Sequence, residues 1–251
     1  MKKIFLSIQF TVILLSIIML HLGNVTQNIS YALSNNPPLQ IVAINDGDEV
    51  GFASLYGNGE NYKTDVTLQV SFKNHDPYKI NLEDGYFPYI TVFDFGAEDK
   101  FLFYSSQTGG SGGYGNYSVY QLKTDSYKLL YNDKINSNDT TFTAIFIPNG
   151  FMQVHNISDS TSLDIYVGYM DKTFYDMIFA ADGSTKEEQP YINDISFVSP
   201  ALNSATGIWR LVTYRSVVAI AEINRLGYIV QTLEFDGKKF TAVFTEFSIS
   251  L

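Results

Sequence analysis

The chain contains no cysteine, and that one absence excludes a disulfide framework, a thiolate metal site, a cysteine nucleophile and a lipidated N-terminal cysteine. Tryptophan occurs once, at Trp209, and proline seven times in 251 residues. Lysine and arginine number 16 against 26 aspartate and glutamate residues. A net negative surface argues against nucleic acid, whose phosphates must be neutralised by clustered Lys and Arg, so no nucleic-acid partner is expected and binding to anionic lipid headgroups is disfavoured. Histidine is scarce too: beyond His21 there are only His75, beside Asp76-Pro77, and His155. Neither stands in an H-E-x-x-H pattern, and no G-x-S-x-G elbow is present, so no assembled catalytic signature can be read.

What the chain does have begins at its N-terminus. In "MKKIFLSIQFTVILLSIIMLHLG", Lys2 and Lys3 precede an apolar run, and the first acidic residue is Asp46. That order, followed by Ser30 and Ala32 in "SYA", is the layout of a cleavable secretory signal over residues 1–32. The alternative is an uncleaved, outward-facing anchor, since roughly 18 apolar residues just span a bilayer. Residues 33–40, "LSNNPPLQ", read as a polar tether, and residues 41–251 as one domain. A mature chain of roughly 220 residues buries enough apolar surface to be stable without disulfides. The expected location is secreted or extracellular, with no membrane insertion after cleavage.

From "IVAI" onward, short β-rich runs alternate with Gly, Asn and Asp clusters, which predicts hairpins and meanders. "DVTLQVSF" places Val66, Leu68, Val70 and Phe72 on one face; "NYSVYQL" sets Tyr117, Val119 and Gln121 against Ser118, Tyr120 and Leu122. "FTAIFI", "SLDIYVGYM", "FYDMIFA" and "DISFV" extend the series, with Asp182-Gly183 and Asp236-Gly237 as turn dipeptides. The only segment with a helical option, "RSVVAIAEINRL", fits a buried strand at least as well. The expected fold is all-β. Similar segments recurring at roughly 45 to 60 residues suggest a propeller-like array of antiparallel sheets, with a β-sandwich as the alternative.

The run "VFDFGAEDKFLFYSSQTGGSGGYGNYSVYQL" resembles a blade of the exported FG-GAP or VCBS-like repeat proteins of Gram-positive bacteria, as do "YFPYITVFD" and "IWRLVTYRSV". The resemblance implies a propeller fold and calcium-binding loops of the form D-x-D-x-D-G. Here Asp94 stands first, Gly96 replaces the second carboxylate, and Glu98 and Asp99 follow without the glycine. "NSATG" offers only Asn203, and "NDGDEVG", with Asp46, Asp48 and Glu49, is out of register. No cofactor is therefore expected, with calcium as the one to consider.

Within "SSQTGGSGGYGNYSVYQL", Gly110, Gly112 and Gly115 satisfy G-x-G-x-x-G. A dinucleotide loop of that spacing leads into a helix whose N-terminal N–H groups receive the pyrophosphate, whereas here a strand follows. The glycines read as a strand-to-strand turn, and Tyr114 and Tyr117, which flank it, are the expected ligand contacts. For glycoside hydrolysis the carboxylates to inspect are Asp164 and Asp176, both read as strand residues. The expected function is a non-catalytic exported binding or interaction module whose partner is a glycan or a cell-envelope protein. The alternative is a glycan-active enzyme using paired carboxylates.

Overall fold

The computed structural model describes residues 37–46, 49–96, 100–110, 113–136, 142–186 and 189–249. The expected signal segment and the first half of the tether, together with Asp48, Glu98, Asp99 and Gly112, lie outside these residues. Pro38–Leu251 forms one compact unit. Among the described residues no helix is long and apolar enough to cross a membrane.

Eight strands come first: β1 (Gln40–Asp46), β2 (Glu49–Asn58), β3 (Tyr62–Phe72), β4 (Tyr78–Asn81), β5 (Gly85–Phe93), β6 (Lys100–Gln107), β7 (Gly115–Leu122) and β8 (Tyr127–Asn132). They make one antiparallel sheet in the order β1-β2-β3-β5-β6-β7-β8, with β4 paired to part of β3. A single turn of helix, α1 (Asp133–Asn136), then leads to β9 (Phe142–Ile147), β10 (Phe151–Asn156) and β11 (Thr161–Tyr166), a three-stranded meander. After the helix α2 (Lys172–Ile178), β12 (Tyr191–Asn203), β13 (Ile208–Val218), β14 (Arg225–Phe235) and β15 (Phe240–Ile249) form a four-stranded meander. A 3-10 turn at Glu222–Asn224 joins β13 to β14, so "RSVVAIAEINRL" is mainly strand, as its β-branched content favours.

The period-two pattern governs burial. On β3, Val66, Leu68, Val70 and Phe72 all point into a core that also takes Leu55, Ile90, Leu102 and Tyr104. β6 and β7 are apolar on both faces, because both faces are covered: Phe101, Phe103, Tyr117 and Val119 turn away from that first core into a second one. Ile195, Val198, Leu211 and Phe240 of the four-stranded sheet complete the second core. The two sheets meet there through edge-on aromatic pairs such as Phe101 with Phe235, 5.2 Å between centroids, and Phe95 with Phe240, 5.1 Å. Each such buried ring contributes on the order of 1.5–3 kcal/mol relative to exposure. A third core joins Met152 and Ile165 to Ile178 and Phe179 and to Val217 and Ile229.

The all-β, antiparallel expectation therefore holds. Two sheets sharing an aromatic core fit the sandwich alternative; among the described residues the strands fall into sheets of eight, three and four.

One segment departs from its reading. "FYDMIFA" was expected as a strand and is helix α2. Asp171 caps it, its carboxylate accepting a hydrogen bond from the Thr173 N–H at 2.8 Å. Tyr175, Ile178 and Phe179 follow at helical spacing, and the last two are buried in the third core.

Candidate functional site

The glycine-rich connection is a β6–β7 hairpin loop, closed at its base by Thr108, whose N–H and Oγ1 both donate to the Tyr114 carbonyl at 3.0 Å. No helix follows it, as the sequence reading required. Its glycines serve neighbouring tyrosines. Gly109 has φ +82°, and a Cβ there would come within 2.3 Å of the Tyr86 ring. At Gly115 a Cβ would lie 2.4 to 2.7 Å from the ring and hydroxyl of Tyr117.

That relation corrects the expectation for Tyr117. It is only 5% exposed, stacked on Phe103 and edge-on to Phe197, and its hydroxyl bonds to the backbone of Val198. Burial pushes its pKa up to about 12. The reason is that β7 is covered on both faces, and at Tyr117 the covering side chains are those of the second core. Tyr114 is half-buried in the loop, near the surface as expected.

Beside the base of this hairpin lies a pocket of about 420 Å³. Tyr62 at the start of β3 forms one wall, and Leu82, Glu83 and Asp84, which connect β4 to β5, form another. Thr108, Asn116 of β7 and Lys134 of α1 complete it. The wall residues are fixed by main-chain links. Asn116 donates through Nδ2 to the Asp84 carbonyl at 3.0 Å and to Ser106 Oγ at 3.1 Å. Asp84 Oδ1 accepts from the Val66 N–H at 3.2 Å. The buried Tyr104 hydroxyl donates to the Glu83 carbonyl, and burial raises its pKa to about 12. Lys134 pairs with Glu83 at 3.0 Å. Behind it, Asp133 is 6% exposed and accepts the Tyr117 N–H at 2.8 Å; desolvation raises its pKa above the ordinary carboxylate value.

The pocket thus carries two carboxylates and one ammonium, a net negative charge in a polar concavity. From its one aromatic wall, Tyr62, a chain of ring contacts leads outward: Tyr62 meets Tyr86 edge-on at 5.0 Å, and Tyr86 meets Phe87 at 6.4 Å. Phe87 lies in a bulge of the β5–β6 ladder between Tyr86 and Tyr89, at φ +50°, and is 72% exposed.

The other candidates stay apart from this site. Asp164 on β11 takes a cross-strand hydrogen bond from Gln153 at 2.8 Å, and Asp176 is a helical residue ion-paired with Lys172 at 2.7 Å. His75 is exposed in the turn after β3, while His155 is on strand β10, its Nδ1 2.9 Å from Ser162 Oγ. Trp209 packs on Phe93 at 4.5 Å against the second core, as read from its neighbours. In the loops that resemble calcium sites, Asp94 Oδ1 accepts from the Gly96 N–H at 2.8 Å and Asn203 Oδ1 from the Ala205 N–H at 3.1 Å, which are turn-capping roles. Among the described residues no three His, Asp or Glu side chains gather to hold a metal.

Pocket residues other than those of the hairpin escaped the sequence reading. Tyr62, the adjacent Glu83 and Asp84, and Lys134 come from three separate parts of the chain, and no local spacing links them.

The fold and site define an antiparallel β-protein with a polar surface pocket beside a hairpin. Residues 140–248 match the family described as the YybI C-terminal domain. The chain is also similar to the uncharacterized protein YybI of Bacillus subtilis (strain 168), 20% identical over 198 residues, covering 77% of this chain and 76% of that protein. No solved structure matches. The family match spans β9 to β15, so the pocket lies outside it.

Proposed function

We propose that this chain is an exported, non-catalytic β-domain, sandwich-like rather than propeller-like, that acts as a binding module at or outside the cell envelope through the pocket beside the β6–β7 hairpin. The observation that carries the binding role is the pocket itself: a polar concavity whose walls are held by main-chain hydrogen bonds and on which the Tyr62 ring is exposed. The layout of the N-terminal residues and the resemblance to exported FG-GAP and VCBS-like proteins support export. The shared aromatic core supports the sandwich arrangement.

The enzyme reading is less well supported. General acid–base chemistry on a glycosidic bond needs one carboxyl protonated and another free to act. Glu83 is ion-paired with Lys134, and one oxygen of Asp84 is committed to the Val66 N–H.

The test is to express the full chain in a Gram-positive host, recover it from medium and cells, and sediment it with purified envelope fragments. Accumulation outside the membrane and co-sedimentation that falls about tenfold when the pocket is filled by Thr108→Trp are expected. A product retained in the cytoplasm overturns export; equal co-sedimentation of native and T108W overturns the pocket as the binding site.

A further inference from the structure

Resting on that reading, we infer that the pocket takes an oligosaccharide without acidic groups, one sugar unit lying on the Tyr62 ring with its hydroxyls meeting the carboxylates of Glu83 and Asp84, and a neighbouring unit reaching Phe87, two ring contacts away through Tyr86. Three observations lead there.

The first is the set of exposed rings. Tyr62 lines the pocket and is 40% exposed, and through Tyr86 it continues to Phe87. Phe87 is a bulky residue at positive φ with most of its surface in water, a conformation that costs of order 1–3 kcal/mol and that glycine would adopt freely. Packing does not account for it, because no buried cluster includes Phe87. Exposed rings at Tyr62 and, two ring contacts away, at Phe87 suit an extended ligand with apolar faces and hydrogen-bonding edges, and the C–H face of a pyranose over an aromatic quadrupole is such a pairing.

The second is the polar wall. Asp84 uses one carboxylate oxygen on Val66, and Glu83 is half-exposed beside Lys134. Planar two-oxygen acceptors suit vicinal hydroxyls, each accepting one O–H with little loss of side-chain freedom.

The third is what the pocket rejects. Phosphates, sulfated chains and uronic acids need clustered cations, and the one lysine here is already paired in a site of net negative charge. A lipid tail needs apolar walls, and only Leu82 and the Tyr62 ring supply any.

The test titrates the full chain by calorimetry with tetrasaccharides built from glucose, galactose, mannose, N-acetylglucosamine and glucosamine, and with tetragalacturonate as the acidic comparison. At least one non-acidic oligosaccharide is expected to bind with a Kd of about 1 mM or tighter and tetragalacturonate about tenfold more weakly. Tyr62→Ala and Phe87→Gly should each weaken binding about fivefold, and Phe87→Tyr should retain it. F87G is the decisive variant: glycine suits the positive φ, so its melting temperature should hold or rise while affinity falls. Absence of binding by every non-acidic sugar, preference for tetragalacturonate, or unchanged affinity in both Y62A and F87G overturns the inference. If the sugars fail while T108W still abolishes envelope binding, the ligand class is wrong and the binding-module reading stands. If T108W leaves envelope binding intact, that reading falls as well.

Discussion

The side-chain amide of Gln40 exchanges two hydrogen bonds with the main chain of Ile90: Nε2 donates to the carbonyl at 2.8 Å and Oε1 accepts the N–H at 2.9 Å. β1 and β5 share no ladder, because β1 pairs only with β2. The amide therefore stands in for one residue of a missing strand and satisfies backbone groups of a fully buried position. Gln40→Leu should destabilise the protein by about 2 kcal/mol, since it leaves both groups without a partner. Gln40→Glu should cost at least as much at neutral pH, because its carboxylate faces the Ile90 carbonyl. Urea midpoints read the loss in both variants, and amide exchange at Ile90 should accelerate selectively in Q40L, which removes the acceptor of its N–H; unchanged exchange there would mean the clasp is ornamental.

The glycine spacing can be tested by separating its members. Gly115→Ala places a methyl against the Tyr117 ring and should cost about 1–3 kcal/mol, as overpacking does. Gly110→Ala meets nothing within 4 Å and should be close to neutral. A phosphate-cradling loop would make both substitutions costly to ligand binding while sparing stability. Denaturation midpoints of the two variants decide between the accounts.

The alternation on β3 and β7 was legible because side-chain direction has a period of two and burial follows it. What was not legible is which faces are covered. "NYSVYQL" is apolar on both registers, and only the arrival of Phe197, Val198 and Phe240 from the far end of the chain buries Tyr117. The pocket was hidden for the same reason, since Tyr62 and Lys134 are brought together by sheet topology and not by local spacing. α2 was misread because aromatics and isoleucine raise β propensity, while the one helical signal, Asp171 ahead of Tyr175, Ile178 and Phe179, is only a turn or two long.

That helix offers its own test. Seven residues are too few to be helical alone, so α2 depends on its cap and on Ile178 and Phe179 in the third core. Asp171→Ala should cost about 1 kcal/mol by removing the acceptor of the Thr173 N–H. Lys172→Ala removes only the exposed pair to Asp176 and should change stability by less than about 0.5 kcal/mol. Equal effects in the two variants would show that the cap contributes nothing.

Asp133 sets a pH dependence whose sign is fixed by its burial. Its surroundings are the N–H of Tyr117, which favours the carboxylate, Lys134, which does the same, and Glu83, which opposes it; desolvation outweighs them and raises the pKa above the ordinary 3.8. The nearby Tyr117 and Tyr131 phenols are themselves raised by burial and stay neutral in the same range. The folded state thus holds the Asp133 proton more tightly than the unfolded chain does. Its contribution to stability is fully present below the unfolded value and is lost as pH rises through the higher folded value. Asp133→Asn keeps an oxygen to accept the Tyr117 N–H but cannot ionise. It should therefore gain stability relative to the native chain as pH climbs above 3.8, and the difference should level off toward neutrality. Denaturant midpoints of both chains across that window measure it; a D133N variant that loses stability relative to the native chain with rising pH would show that the Tyr117 and Lys134 contacts, not desolvation, dominate this buried carboxylate.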